Sequence, residues 1–133
     1  MDNNYKYTKV SDFKMRFQIK EHKKTSKNIY ASFILAGDIG GTNTNLGIFG
    51  VKRDMPELVI SFHFKTDELK GLHDAVNKTL DYIQKNRKIK VTKACFAVAG
   101  VLSPNNDFAR ITNAKWDVSK KPLLKKTKLK KII

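Results

Sequence analysis

Residues 32–51, which read SFILAGDIGGTNTNLGIFGV, decide the fold. The apolar run at residues 32–37 ends at a glycine and is typical of a short buried strand. Residues 38–43 (DIGGTN) have the composition of a turn, because two adjacent glycines are flanked by Asp, Thr and Asn. Residues 45–51 resume a strand-like pattern, and their two glycines argue against a helix. The sequence therefore predicts a strand, a tight loop and a second strand.

The next part of the chain predicts a third strand and a helix. Pro56 and the charged residues around it indicate a turn at residues 52–57, and LVISFHF at residues 58–64 is typical of a strand. Apolar residues then recur at spacings of three and four to about Asn86, which predicts an amphipathic helix, and Thr66 is a residue type that can cap its N-terminus.

Shorter elements are predicted after the helix and in the first 31 residues. Residues 92–99 (TKACFAVA) indicate a fourth, buried strand, in which we interpret Cys95 as an inert core residue. The remaining predicted elements are a loop at residues 100–107, a short strand at 109–112, a helix that opens at Asp117 or Ser119, and the beginning of a fifth strand at 128–133. Residues 1–31 are polar and Lys-rich, and predict an extension with one short helix or strand around residues 13–19.

The composition excludes several classes of protein. The chain has 133 residues, 41% of them hydrophobic, which suits one folded domain rather than a disordered segment. The longest apolar run is about half of what a membrane-spanning helix requires, and the N-terminus has no secretory pattern. One cysteine and three histidines without ligand spacing predict neither an internal disulfide nor a metal site of protein ligands. We expect a cytoplasmic chain that does not contact a membrane.

The net charge of +15 suggests an anionic partner such as nucleic acid. The excess of basic residues is concentrated in residues 1–31 and 115–133, whereas the middle of the chain is nearly balanced. Most of the basic residues are Lys, whereas direct base readout favours Arg. A basic nucleic-acid-binding module therefore remains an alternative, but the charge distribution disfavours it.

The GDIGGTN segment, residues 37–43, is the candidate for anion binding. It is neither a Walker A sequence nor a dinucleotide fingerprint, because no Gly-Lys-Ser/Thr follows and a strand stands where a helix is required. Its glycines allow close approach and positive φ, so backbone amides can approach a phosphate. Thr42 and Asn43 can add donors, and Asp38 can hold a hydrated Mg²⁺. The alternative is an ordinary glycine-rich β-turn.

Three segments together resemble a known family. GDIGGTN between two strands is similar to the first phosphate motif of bacterial-type glucokinases, in the sugar kinase–Hsp70–actin superfamily. Residues 95–100 (CFAVAG) are similar to the family's segment that ends in an Ala-Gly-Pro turn. Residues 110–116 (RITNAKW) resemble its Thr-Asn-x-x-Trp motif. The order and spacing match over about residues 33–133.

The resemblance implies a fold and a reaction. The fold is an α/β, ribonuclease H-like (actin-like ATPase) N-terminal domain over residues 32–133, with an antiparallel three-strand meander, then a helix and parallel strands. Residues 1–31 are a basic extension outside it. The reaction is transfer of the ATP γ-phosphoryl group, with Mg²⁺, to the 6-hydroxyl of glucose. A kinase or sensor for another hexose is a further alternative.

The resemblance also assigns roles to residues. The nucleotide-binding residues are Gly37, Asp38, Ile39, Gly40, Gly41, Thr42 and Asn43, with Asp38 bound to Mg²⁺ through water. The glucose-binding residues are Gly100, Thr112 and Asn113. Trp116 is expected to pack beside the sugar loop. The alternatives are that Asn113 is only a turn residue and that Trp116 is only a core aromatic.

The chain departs from the family in three respects, the first of which is a 31-residue lead that is longer than the family's usual start. Val101 stands where the family usually has Pro. The family's catalytic Asp lies in an Asn-Asp-Phe segment at the end of the next strand, which has no counterpart in residues 1–133. We therefore expect an N-terminal piece of a glucokinase that is inactive alone. Its exposed apolar face should bind the missing C-terminal half or a second copy.

Overall fold

The computed structural model describes residues 6–11, 16–23 and 29–133, and it contains two β-sheets. In chain order the strands are β1 (Lys6–Ser11), β2 (Arg16–Glu21), β3 (Ser32–Ile39), β4 (Asn43–Lys52), β5 (Met55–Lys65), β6 (Lys93–Val98), β7 (Gly100–Leu102), β8 (Phe108–Ile111), β9 (Val118–Ser119) and β10 (Lys131–Ile132). The helices are α1 (Leu72–Arg87) and α2 (Lys120–Lys126), and Thr66–Glu68 forms a single 3-10 turn. The larger sheet has the order β1-β2-β5-β4-β3-β6-β10, and the smaller has the order β7-β8-β9.

The centre of the large sheet has the predicted topology. Strands β3, β4 and β5 form an antiparallel meander. After α1 the chain enters β6, which pairs with β3 in parallel, and β10 then pairs with β6 in parallel. The meander, helix and parallel strands that the sequence predicted are therefore confirmed.

The alternation of side chains along each strand separates the two faces of this sheet. Leu35 and Ile39 of β3 are fully buried in the core that also contains Val76 and Ile83 of α1. Between them, Asp38 points to the other side and is exposed. The core therefore lies between the sheet and α1. We call the opposite side the open face; it includes Ala36, Asp38, Asn45, Ser61 and His63.

Residues 16–21 do not belong to an extension outside the domain, because they form a strand of the same sheet. Strand β2 pairs with β5 in antiparallel register, and β1 continues the sheet beyond it. The rings of Phe17 and Phe64 stack with their centroids 4.8 Å apart, and Ile19 is 1% exposed. The predicted boundary between residues 31 and 32 therefore separates strands of one sheet. Phe13, which began the short element predicted there, lies outside the described residues.

The first helix begins later than the sequence predicted. Thr66 starts the 3-10 turn, and α1 has its N-cap at Gly71. The carboxylate Oδ2 of Asp74 accepts a hydrogen bond from the backbone N–H of Lys70 at 2.6 Å, which satisfies one of the amides before the helix. Thr66 is thus not the cap of α1, and its side chain has another use.

Three smaller expectations also needed correction. The turn expected at residues 52–57 is only two residues long, because Arg53 and Asp54 both have positive φ and close a tight hairpin. The loop expected at residues 100–107 contains β7, which pairs with β8. Cys95 is exposed rather than in the core, because it is in register with Ala36 on the open face.

Candidate functional site

The predicted phosphate loop is the tight connection between β3 and β4. Ile39 pairs with Thr44, and the backbone N–H of Gly40 donates to the carbonyl of Asn43 at 2.9 Å. Gly40 and Gly41 do not have positive φ, so the turn needs no left-handed residue. The expectation that positive φ explains these glycines is wrong, and close approach is the remaining reason for them.

Close approach is required at Gly41, where the predicted phosphate loop meets the loop of Thr112 and Asn113 that was predicted to bind sugar, which we call the sugar-side loop. A Cβ on Gly41 would overlap the carbonyl oxygen of Thr112 and lie 3.3 Å from Cβ of Asn113. The backbone atoms around Thr112 cannot rotate away as a side chain can. The two loops, about 70 residues apart in the sequence, are therefore in direct contact.

The segment that ends at Gly100 connects these two loops. The backbone N–H of Ala99 donates to the carbonyl of Ile39 at 2.8 Å, and Thr112 N–H donates to the carbonyl of Ala99 at 3.3 Å. Gly100 packs so closely on the backbone of Arg110 that a Cβ there would overlap its carbonyl oxygen. All three segments that carry the family resemblance therefore meet at one end of β3 and β6.

The residues predicted to bind the nucleotide fall into two groups. Gly37 and Ile39 face the core, and a Cβ on Gly37 would lie 2.7 Å from the side chains of Leu46 and Phe96. These two residues therefore support the sheet. The side chains of Asp38, Thr42 and Asn43 are exposed, so a ligand can reach them.

The residues predicted to bind the sugar are also accessible. Thr112 and Asn113 are exposed and follow β8 directly. Asn113 has a φ of 65°, a left-handed conformation that Asn tolerates better than most residues. Its backbone role as a turn residue and its exposed amide side chain are therefore compatible.

The sequence did not reveal that Thr66 belongs to the site, because a Thr before a helix is typical of an N-terminal cap. Thr66 is 1% exposed, and its Oγ1 donates to the carbonyl of Gly40 at 2.7 Å. Its backbone N–H donates to the carbonyl of Thr42 at 3.0 Å. Both hydrogen bonds hold the phosphate loop against the beginning of the 3-10 turn.

Trp116 is connected to the same residue. Its indole Nε1–H donates to the carbonyl of Thr66 at 3.2 Å, and its partly buried ring packs against the hydrophobic core. Trp116 is thus a core aromatic whose polar end contacts the backbone that supports the phosphate loop.

Charged groups of both signs lie beside the loop. The ammonium of Lys65 donates to Oδ1 of Asn43 at 3.2 Å, which brings a positive charge to the loop. The carboxylate of Asp38 is exposed two residues before Gly40. An oxygen ligand in contact with water suits Mg²⁺, which usually keeps several water ligands. The side chains present therefore fit a hydrated magnesium ion beside a phosphate.

A chain of polar side chains crosses the open face next to Asp38. His22 Nε2 lies 2.8 Å from Ser61 Oγ, which lies 3.2 Å from His63 Nε2, and His63 Nδ1 lies 2.9 Å from Asn45 Oδ1. Burial, followed by the nearby ammonium of Lys20, lowers the pKa of both histidines below 6.5. Within the described ranges no three His, Cys, Asp or Glu residues are arranged to hold a metal ion.

Comparison with known proteins identifies the family. The glucokinase family model matches residues 35–133. A glucokinase from Agrobacterium fabrum is 34% identical over 111 residues, which are 83% of this chain and 31% of that protein. A glucokinase from Synechocystis sp. is 34% identical over 92 residues, which are 64% of this chain and 25% of that protein.

A solved structure supports the fold. The glucokinase from Balamuthia mandrillaris in complex with glucose superposes with a TM-score of 0.59 at 24% identity, over 76% of this chain and 29% of that one. The topology and this neighbour agree with the mixed α/β, actin-like ATPase fold that the sequence predicted. Among the described residues no helix has the length and apolar character to cross a membrane.

The match to the family model covers most of the chain, including the three segments that meet at the site. The chain spans about a third or less of the length of these curated relatives. On this evidence the chain belongs to the glucokinase family.

Proposed function

We propose that this chain supplies the phosphate-binding and sugar-binding loops of a glucokinase, which transfers the γ-phosphoryl group of ATP to the 6-hydroxyl of glucose. The contact between Gly41 and Thr112 carries the proposal. Phosphoryl transfer depends mainly on holding donor and acceptor in line and on neutralising charge. Two binding loops in van der Waals contact suit a reaction whose reacting groups must be adjacent.

The nucleotide side of the proposed site consists of residues 37–43. Thr42 and Asn43 offer a hydroxyl and an amide to the phosphates, and the ammonium of Lys65 adds positive charge beside Asn43. Asp38 would hold Mg²⁺ through water. When bound, this ion neutralises phosphate charge. Gly37 and Ile39 contribute by keeping β3 in the sheet.

The sugar side consists of Gly100, Thr112 and Asn113. Sugar hydroxyls both donate and accept hydrogen bonds, and an Asn side chain offers both functions. Gly100 allows β7 to approach Arg110, which sets the position of the loop that begins at Thr112. The glucose bound by the Balamuthia protein supports glucose as the sugar.

The proposed catalytic machinery is incomplete within residues 1–133. The relatives are at least three times as long as the parts matched here, and the family's catalytic Asp has no counterpart in this sequence. We therefore expect the chain alone to bind its ligands without phosphorylating glucose. The part of a glucokinase outside the matched residues would supply the catalytic Asp, and the reaction would take place in the cytoplasm.

Titration of the 133-residue chain with ADP and Mg²⁺ tests the nucleotide part of this proposal. Trp116 is the sole tryptophan, and it contacts Thr66, so its fluorescence reports on the phosphate loop. We expect a saturable change that requires Mg²⁺ and, in a separate titration, a change with glucose. A coupled assay of ADP release from ATP with glucose should give no turnover. Absence of both fluorescence changes, or robust turnover, would contradict the proposal.

A further inference from the structure

We propose that Thr66 is the positioning residue that sets the conformation of the phosphate loop, and that Trp116 holds Thr66 in place. The proposal deepens the function proposed above, because it names the residues outside the binding motif on which nucleotide affinity depends. It also links Trp116, which follows the sugar-side loop in the sequence, to the phosphate loop.

The hydroxyl of Thr66 has a definite direction. Its single hydrogen is donated to the carbonyl of Gly40 at 2.7 Å. The contact of 2.9 Å between Thr66 Oγ1 and Thr44 Oγ1 must therefore have Thr44 as the donor. Thr44 is fully buried, so both hydroxyls lie where water does not compete for them. Thr66 is thus the acceptor for Thr44 and the donor to Gly40 at the same time.

Thr66 holds two carbonyls of the same turn. The hydroxyl binds the carbonyl of Gly40, and the backbone N–H binds the carbonyl of Thr42. In a trans peptide the N–H of the following residue points opposite to the carbonyl, and there are no cis peptides among the described residues. The N–H groups of Gly41 and Asn43 therefore both point away from Thr66. Two amides on one side of a tight turn form a concave site for an anion.

Trp116 holds Thr66 in place through the backbone carbonyl of Thr66. The carbonyl of Thr66 accepts the indole N–H of Trp116 at 3.2 Å and the backbone N–H of Leu69 at 3.2 Å. The second bond closes the 3-10 turn, and the first ties that turn to the segment three residues after Asn113. Two hydrogen bonds, from Trp116 to the carbonyl of Thr66 and from the hydroxyl of Thr66 to the carbonyl of Gly40, therefore link this segment to the phosphate loop.

The variants Thr66→Val and Thr66→Ser separate the hydroxyl from the shape of the side chain. Valine keeps the β-branched shape and the backbone N–H, but it cannot donate to Gly40. Serine keeps the hydroxyl. Thr79→Val is the matched control, because Thr79 is fully buried in α1 and its hydroxyl has no hydrogen-bond partner among the described residues.

The first measurement needs no ligand. Backbone amide hydrogen exchange of Gly40, whose N–H donates to the carbonyl of Asn43 across the turn, is followed by NMR in the 133-residue chain and reports how firmly the loop is held. We expect Thr66→Val to accelerate exchange in the loop by about tenfold relative to the wild type, because a buried carbonyl loses its donor. Thr66→Ser and Thr79→Val should leave it within about twofold. Unchanged exchange in Thr66→Val would overturn the proposal, whether or not the chain binds a nucleotide.

The second measurement is ADP binding in the presence of Mg²⁺, by calorimetry, with folding of each variant verified by circular dichroism. We expect affinity about five- to tenfold weaker in Thr66→Val, and also weaker in Trp116→Phe, which removes the indole donor together with part of the ring. Serine should restore the affinity. If wild-type protein does not bind ADP, the proposed function fails, while the exchange data still decide the role of Thr66. If ADP binds equally to wild type, Thr66→Val and Trp116→Phe, the positioning role is wrong.

Discussion

The carbonyl oxygen of Thr112 lies so close to Gly41 that a Cβ on this glycine would overlap it. This contact joins the predicted phosphate loop to the loop of Thr112 and Asn113, which was predicted to bind the sugar. Because the obstructing atom belongs to the backbone, a larger residue in place of Gly41 would require one of the two loops to move. The absence of a side chain at Gly41 therefore allows the two loops to approach this closely.

The first prediction concerns Gly41→Ala. The added methyl group should push the two loops apart, reduce the free energy of unfolding by about 1–3 kcal/mol and weaken ADP binding. Urea unfolding and calorimetry measure the two effects. Gly40→Ala is the control, because a Cβ there would lie 3.3 Å from the carbonyl of Asn43 and requires only a small shift. Equal effects of the two substitutions would refute a specific contact at Gly41.

A second prediction concerns Asp38 and magnesium. Asp38 is exposed, so Asp38→Asn should change the free energy of unfolding by less than about 0.5 kcal/mol. The same change should abolish the dependence of ADP binding on Mg²⁺, because a neutral amide is a poorer ligand for this cation. Asp81→Asn, at an exposed position on α1, should leave the dependence intact. If Asp38→Asn retains the full magnesium effect, Asp38 does not hold the ion.

A third prediction follows from the histidines of the open face. The pKa values of His22 and His63 in the folded chain lie below 6.5, so below that pH the unfolded chain binds more protons than the folded chain. The free energy of unfolding should therefore decrease as the pH falls from about 7 through 6.5 and towards the folded-state pKa values.

The contribution of His63 can be isolated by substitution. His63→Gln should flatten the decrease in urea unfolding experiments across this pH range, because the group with the lowered pKa is removed. His73→Gln is the control, because His73 lies near the start of α1 and outside the polar chain of the open face. A pH dependence that is the same in His63→Gln as in the wild type would contradict this explanation.

A fourth prediction concerns the hairpin of β7 and β8. Val101, Leu102 and Phe108 are 72%, 54% and 36% exposed, and exposed apolar clusters favour association. We expect the chain to self-associate with increasing concentration in analytical ultracentrifugation, and Leu102→Lys to reduce this association. Met55→Lys, at an isolated exposed position on β5, should not. Dissociation by Met55→Lys alone would place the contact elsewhere.

The sequence predicted the part of the fold in which local patterns and burial agree. The meander, α1 and β6 have clear apolar periodicity. A short helix or strand was predicted around residues 13–19, but strand β2 was not assigned to the domain because its alternation is short: only Phe17 and Ile19 face the core, and charged residues lie beside them. Such a strand is stabilised by its neighbour β5, which one-dimensional patterns do not contain.

The site was predictable as a set of motifs but not as a geometry. Thr66 lies between the nucleotide motif and α1, and its role depends on the carbonyl of Gly40, which is 26 residues away. Cys95 was assigned to the core because its strand is apolar, but only the packing of the sheet determines which face is covered. Non-local contacts of this kind require the three-dimensional structure.

The most direct test of nucleotide binding is the fluorescence of Trp116 during titration with ADP and Mg²⁺, in the wild type and in Gly41→Ala. We expect a saturable change in the wild type that disappears without Mg²⁺ and is strongly weakened in Gly41→Ala. No change in the folded wild-type chain at millimolar ADP would contradict the central claim that residues 37–43 bind the nucleotide phosphates.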